Sequence, residues 1–237
     1  MMTFFMRPFH PRLSVRRHRK RAWLRVMRAG AFSLTLVLVP AVVVAATAAG
    51  PSVVCKSAPA NTPDATVCGS PLLTRLDREL QRLYELATAP ETGASARMVS
   101  DGQRAWLAER DGCMRDADAA ACMRELYLER IAAVRSESAP ARGGGRGASL
   151  GPFEFRCPGT TPRIIRITYA NVNPSLAVIA MDGKFYVLSQ ARSASGGRYE
   201  GQGALFWEHQ GEARWRAAAD GIESTCKRIT PLATNSQ

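Results

Sequence analysis

Histidine is the scarcest chemically versatile residue of this chain. Three histidines occur in 237 residues, and His10 and His18 both lie in a basic N-terminal stretch. A Ser-His-Asp or Cys-His nucleophilic site would therefore have to use His209. Paired carboxylates could still serve a glycosidase, but no Asp or Glu lies in a recognisable catalytic context. The sequence thus predicts a protein that is not an enzyme.

Closely spaced metal ligands are also lacking. The six cysteines form no Cys-x-x-Cys or Cys/His cluster, which is the spacing that zinc sites use. We therefore expect no metal and no cofactor. An even number of cysteines in an exported chain predicts disulfides. Spacing alone leaves several pairings open, and the grouping along the chain favours Cys55 with Cys68, Cys113 with Cys122, and Cys157 with Cys226.

Acidic residues are absent from residues 1–48, which contain nine of the 32 basic residues. The net charge of +12 is therefore concentrated there, and the remainder carries only about +3. This distribution argues against a nucleic-acid partner. An uncharged, apolar run follows from Ala29 to Cys55, and the pattern is that of a secretory signal cleaved after Ala48. The alternative is an uncleaved inner-membrane anchor, because Ala29–Gly50 is long enough to span a bilayer.

Either alternative predicts an exported protein, periplasmic or beyond, that touches the membrane only through an uncleaved anchor. Lipid modification is not expected, since Ser52-Val53-Val54 lacks the small residue that precedes a modified cysteine. Bulky apolar residues are nearly missing from residues 136–151, which predicts a flexible linker. The predicted organisation is a signal or anchor (1–48), a helical domain (49–135), the linker (136–151), a β-barrel domain (152–230) and a tail (231–237).

The region before the predicted linker has helical spacing. Ser70 followed by Pro71 is a favourable helix start, and leucines then recur every three or four residues. Further helices are expected over Met98–Arg110 and Ala120–Arg135. The region after the linker has short β-type runs instead, and Asp182-Gly183 is typical of a two-residue hairpin turn. At least six strands at this spacing predict a small antiparallel barrel or sandwich.

Two motifs lie between Cys157 and Cys226. The first is Ser-Gly-Gly-Arg-Tyr at 195–199, and the second is Trp-Glu-His-Gln-Gly-Glu-Ala at 207–213. Together they resemble the membrane-bound lysozyme inhibitor of c-type lysozyme family. The resemblance implies an eight-stranded antiparallel barrel tied by Cys157–Cys226, in which the Ser195 loop and the Trp207–Ala213 hairpin plug the lysozyme cleft.

The same resemblance implies roles for individual residues. Ser195 would enter the cleft, and the two following glycines would let the backbone approach closely. His209 and Gln210 occupy the positions of the family's Lys and Gly; lysine is charged near neutrality, whereas histidine is only partly so. The predicted lysozyme-contacting residues are Ser195, Gly196, Gly197, Arg198, Tyr199, His209 and Gln210, with Tyr199 supporting the loop from below and Arg198 as the other cation within reach.

The helical region has its own family resemblance. The string Arg104-x-Trp-Leu-x-x-Arg-Asp-x-Cys113 is similar to the N-terminal domain of LprI-type lysozyme inhibitors. The sequence therefore predicts an α + β two-domain inhibitor whose partner is c-type lysozyme, and it leaves the oligomeric state open. The alternative is a cell-envelope module that binds glycan or protein without inhibiting a hydrolase, through exposed aromatic residues such as Trp207 and Trp215.

Overall fold

Helices and strands occupy separate halves of the chain. The computed structural model describes residue 53 and residues 55–89, 93–143, 147–218 and 221–229. The predicted signal or anchor and the predicted tail lie outside these residues. Within the described ranges, no helix combines the length and apolarity needed to cross a membrane.

Five α-helices form the first half of the described chain, and side-chain caps at Thr62, Ser70 and Asp118 set the starts of three of them. The Ser70 hydroxyl accepts a hydrogen bond from the Leu73 amide at 3.3 Å, with Pro71 at the first helical position as predicted. Asp118 caps another helix by accepting from the Ala121 amide at 2.9 Å. The helices are α1 (Pro63–Gly69), α2 (Pro71–Thr88), α3 (Ala94–Gly112), α4 (Ala119–Glu137) and α5 (Ala139–Gly143), with 3-10 turns at Cys55–Ser57 and Cys113–Arg115.

The helices bury one apolar stripe of α2 against α4. Spacing of three and four places the buried leucines on one face of α2: Leu73, Leu76, Leu80 and Leu83. Trp106 of α3 contacts the Tyr127 ring edge-on at 4.9 Å, and its indole nitrogen donates to the Leu126 carbonyl at 3.0 Å. Trp106 is therefore a core residue.

Eight antiparallel strands form a closed barrel, which confirms the predicted fold class. Each strand pairs with its sequence neighbour, and β8 pairs with β1. Positive φ at both central residues marks three two-residue turns, Asp182-Gly183, Gln202-Gly203 and Gln210-Gly211. The strands are β1 (Ser149–Cys157), β2 (Arg163–Ala170), β3 (Leu176–Met181), β4 (Lys184–Ala191), β5 (Gly197–Gly201), β6 (Ala204–His209), β7 (Glu212–Arg216) and β8 (Ser224–Arg228).

All three predicted disulfides are present. They join Cys55 to Cys68, Cys113 to Cys122, and Cys157 to Cys226, which leaves no free cysteine in the chain. The third bridge connects the first and last strands of the barrel. It therefore lies where the sheet closes on itself.

The segment predicted as a flexible linker is largely structured. α4 continues to Glu137, α5 follows, and β1 begins at Ser149; residues 144–146 lie outside the described residues. Long-range hydrogen bonds hold this segment. Buried Glu79 accepts from the Ser149 hydroxyl at 2.5 Å, and buried Arg135 donates to the Gly151 carbonyl at 2.7 Å. Local composition does not reveal these partners, which is why the linker prediction differs from the structure.

The helical region and the barrel share an apolar core. Leu176 and Val178 point outward from β3 and pack with the helices. Ala177 and Ile179 alternate with them and pack in the separate interior core of the barrel. The helices thus cover the outer face of the barrel around β2 and β3.

Candidate functional site

The Ser195 loop connects β4 to β5 and is closed by its own hydrogen bonds. The Ser193 hydroxyl accepts from the Ser195 amide at 3.3 Å and donates to the Ser195 carbonyl at 2.5 Å. Ser195 is exposed. Throughout the described part of the chain, no group hydrogen-bonds its hydroxyl, so this hydroxyl can serve an external acceptor.

The second motif forms the hairpin between β6 and β7. Gln210 and Gly211 make its turn with φ of 51° and 81°, and His209 pairs with Glu212. His209 and Gln210 are both exposed. The family's Gly corresponds to Gln210 here, so a side chain with a Cβ occupies a left-handed position that glycine favours.

The loop and the hairpin are in direct contact. The Trp207 indole nitrogen donates to the Ser195 carbonyl at 2.9 Å. Gly196 has φ of +70°, and a Cβ on it would lie 2.0 Å from the Glu208 carbonyl oxygen. Glycine is therefore required at position 196 by the packing of the loop on β6, a reason that the sequence did not reveal.

This contact creates a small cavity of about 280 Å³. It brings Ser195 and His209 together from the predicted contact set. Trp207 forms part of the same wall. The lining residues are Ser195, Trp207, His209, Glu212, Ala213, Arg214 and Thr225.

Arg198 and Tyr199 lie apart from this cavity. Arg198 donates to Glu200 on the same strand at 2.9 Å through its Nε, so a neighbouring carboxylate already compensates its charge. Tyr199 is only 7% exposed, and its hydroxyl lies 3.3 Å from the Ser175 hydroxyl. Tyr199 therefore packs in the core of the barrel, and its predicted role in supporting the Ser195 loop stays a prediction.

Glu208 connects the hairpin to β2 and β8 through hydrogen bonds. Its carboxylate accepts from the Tyr169 hydroxyl at 2.6 Å and from Arg228 at 3.2 Å. Burial raises the pKa of the Tyr169 phenol, and the hydrogen bond to Glu208 raises it further. The phenol therefore remains a proton donor across the physiological range. Sequence analysis missed this group, because Tyr169 and Glu208 are 39 positions apart and neither carries a local signal.

The two tryptophans named for glycan binding differ in their surroundings. Trp215 is 4% exposed and packs in the barrel interior. Trp207 is half-buried, and the Arg214 guanidinium lies 5.1 Å from its ring centroid. Burial thus removes Trp215 from contact with a glycan, and Arg214 lies over the Trp207 ring.

One group of described residues has the spacing of metal ligands but not their chemistry. The group with the closest ligand spacing there is Cys113, Asp116 and Cys122. A disulfide joins its two sulfurs, so they are not thiolates that could bind a metal.

A wider groove of about 850 Å³ lies between α4, α5 and strands β1–β4. It shares no residue with the cavity beside Ser195.

Comparisons with known proteins give two family matches. The model for membrane-bound lysozyme-inhibitor of c-type lysozyme matches residues 155–224, and the model for lysozyme inhibitor LprI matches residues 55–134. Lipoprotein LprI of Mycobacterium tuberculosis (strain H37Rv) and that of Mycobacterium bovis are each 32% identical over 166 residues, covering 70% of this chain and 79% of the relative. The crystal structure of Pseudomonas aeruginosa MliC in complex with hen egg white lysozyme is 24% identical and covers 34% of this chain and 80% of that chain, with a TM-score of 0.27.

Proposed function

Because this chain belongs to the family of the mycobacterial lipoprotein LprI, we propose that it is an exported, non-enzymatic inhibitor of c-type lysozyme. The two family matches occur in the order helical region, then barrel, and both families are named for lysozyme inhibition. The inhibitory surface consists of the Ser195 loop and the Trp207–Ala213 hairpin, which we call the plug.

The hydrogen bond from the Trp207 indole to the Ser195 carbonyl, at 2.9 Å, is the observation that carries this proposal. It fixes two separate chain segments into one surface. A second contact joins the same two segments, since Gly196 packs against the Glu208 carbonyl oxygen. A surface that is ordered before binding loses less conformational entropy when it meets its partner.

The exposed groups of the plug suit a glycosidase cleft. Such clefts hold two carboxylates on either side of the scissile bond. The Ser195 hydroxyl donates to one of them, and a hydrogen bond to a charged acceptor is stronger than one between neutral groups. Occupying the cleft in this way excludes the glycan substrate without any chemical step by the inhibitor.

The relatives are named lipoproteins, and this name supports an envelope location. In this chain Cys55 is bonded to Cys68, so its sulfur is not available for a lipid. We propose that export depends on the N-terminal segment, through a cleaved signal or a retained anchor, and not on acylation of Cys55.

Inhibition tests the proposal. Oxidised protein comprising residues 49–237 is titrated into hen egg white lysozyme acting on bacterial cells, with turbidity as the readout. We expect saturable inhibition, and Ser195→Ala should weaken binding by about 1–3 kcal/mol, the usual cost of losing a hydrogen bond to a charged group. Ser189→Ala, at an exposed serine of β4 outside the cavity, is the matched control.

Two results would contradict the proposal. One is uninhibited lysis at saturating protein. The other is equal inhibition by wild type and Ser195→Ala, which would place the contact elsewhere. Binding to purified peptidoglycan without any effect on lysozyme would support the envelope-module alternative instead.

A further inference from the structure

Arg214 holds a central position in the row of side chains beside the plug. The register of the sheet places it between Trp207 of β6 and Thr225 of β8, on the outer face. Its guanidinium lies over the Trp207 ring at 5.1 Å. The same ring is bonded to the Ser195 carbonyl. Arg214 is thus positioned by the contact that joins the loop to the hairpin.

Arg214 forms a long, exposed ion pair and no hydrogen bond with a carboxylate. Its side chain is 57% exposed, and the Glu223 carboxylate lies 3.7 Å from its Nε, within ion-pair distance but beyond hydrogen-bond distance. Among the described residues no acceptor takes a hydrogen bond from Arg214. Arg198, on the other side of Trp207 in the register, differs, because Glu200 accepts from two of its nitrogens.

Two formally charged side chains line the cavity, Arg214 and Glu212, and His209 lies beside them. Glu212 is exposed and lies opposite Lys227 in the register of β7 and β8. Arginine keeps its charge at every physiological pH and offers a planar pair of donors that matches a carboxylate.

From this arrangement we infer that Arg214, stacked on Trp207, is the residue through which the cavity beside Ser195 binds a carboxylate of the partner protein. The inference rests on the proposed function and specifies it, since the glycosidase cleft supplies such a carboxylate. Stacking holds the guanidinium in place before binding, so less side-chain entropy is lost in forming the pair. Arg214 thus supplies the plug with a side chain that is positively charged at every physiological pH.

Calorimetric titration against hen egg white lysozyme tests this inference. Wild type is compared with Arg214→Gln, Arg214→Lys and the control Arg166→Gln. Arg166 is an exposed cation of β2 outside the cavity, and its Nε donates to Glu154 at 2.8 Å. We expect Arg214→Gln to raise Kd about tenfold or more and Arg166→Gln to change it less than about threefold. Arg214→Lys should recover part of the loss, because it restores the charge but not the planar pair of donors.

The salt dependence supplies a second readout that a folding defect would not imitate. Raising the salt concentration should weaken binding by wild type and by Arg166→Gln more than binding by Arg214→Gln, because the last variant lacks the charge that salt screens. Equal Kd and equal salt dependence for wild type and Arg214→Gln would overturn the inference while Ser195→Ala could still show that the plug inhibits. Failure of the wild-type protein to bind lysozyme at all would overturn the proposed function and this inference together.

Discussion

At the scale of single residues, Gly196 determines whether the plug can form. A Cβ there would lie 2.0 Å from the Glu208 carbonyl oxygen, in a backbone conformation with φ of +70°. Gly183 has a similar φ of +74° with no heavy atom within 4 Å of such a Cβ. The two glycines therefore share the conformational requirement, and only Gly196 adds the steric one.

Substitution by alanine separates these two effects. Gly183→Ala should cost about 1 kcal/mol of unfolding free energy from backbone strain alone. Gly196→Ala should cost more, or should displace the loop, and it should reduce lysozyme inhibition, whereas Gly183→Ala should leave inhibition unchanged. Urea denaturation and the turbidity assay measure the two quantities. Equal behaviour of the two variants would mean that the contact between loop and hairpin does not matter.

At the scale of one element, α2 carries two buried carboxylates with opposite pKa shifts. Burial tends to raise the pKa of Glu79, but hydrogen bonds from Arg82, Ser149 and the Ala148 amide outweigh it, and the pKa is lowered from its ordinary value. Burial raises the pKa of Asp77 in spite of hydrogen bonds from Val53 and Tyr127. The charged form is thus favoured by folding at Glu79 and disfavoured at Asp77.

These shifts predict pH dependences of opposite sign. The stabilisation by Glu79 is complete above the ordinary glutamate pKa and is lost as the pH falls through the lowered value. Glu79→Gln should therefore cost about 1–3 kcal/mol at about pH 7 and less at about pH 3.5. At Asp77 the sign is opposite. The unfolding free energy of the wild type relative to Asp77→Asn should increase as the pH falls, because protonation removes the charge of the buried carboxylate. Denaturation midpoints across this range provide the measurement, and parallel trends for the two variants would contradict the assigned shifts.

Sequence patterns predicted the elements well where the signal is local. The Ser70 cap, the Asp182-Gly183 turn and the Cys55–Cys68 bridge depend on residues that are close in the chain, and each agrees with the structure. Contacts between distant residues were not predictable in this way. Glu79 with Ser149, Tyr169 with Glu208, and Arg214 over Trp207 all join different elements. The two motifs of the proposed plug could be located in the sequence, but the contacts that join them could not.

At the scale of the whole molecule, the barrel and the helices depend on each other. The outward-facing Leu176 and Val178 are covered by the helices, and burying such side chains typically contributes about 1.5–3 kcal/mol each. A fragment of residues 147–237 should therefore retain the plug and inhibit lysozyme, but it should unfold at a lower temperature than residues 49–237. Calorimetry and the turbidity assay compare the two proteins. Equal thermal stability would show that the shared core adds nothing.

The closure of the barrel between β1 and β8 has a consequence for the order of assembly. The other strand pairings join neighbours in sequence, so each needs only a short loop and can form early. The disulfide between β1 and β8 spans 69 positions, and the entropy of closing a loop grows with its length. β1 is also held at its start by Glu79 and Arg135 of the preceding helices. The helical half can therefore hold β1 in its native position before β8 has formed. β8 then pairs with β1, and oxidation of Cys157 and Cys226 makes this last pairing covalent.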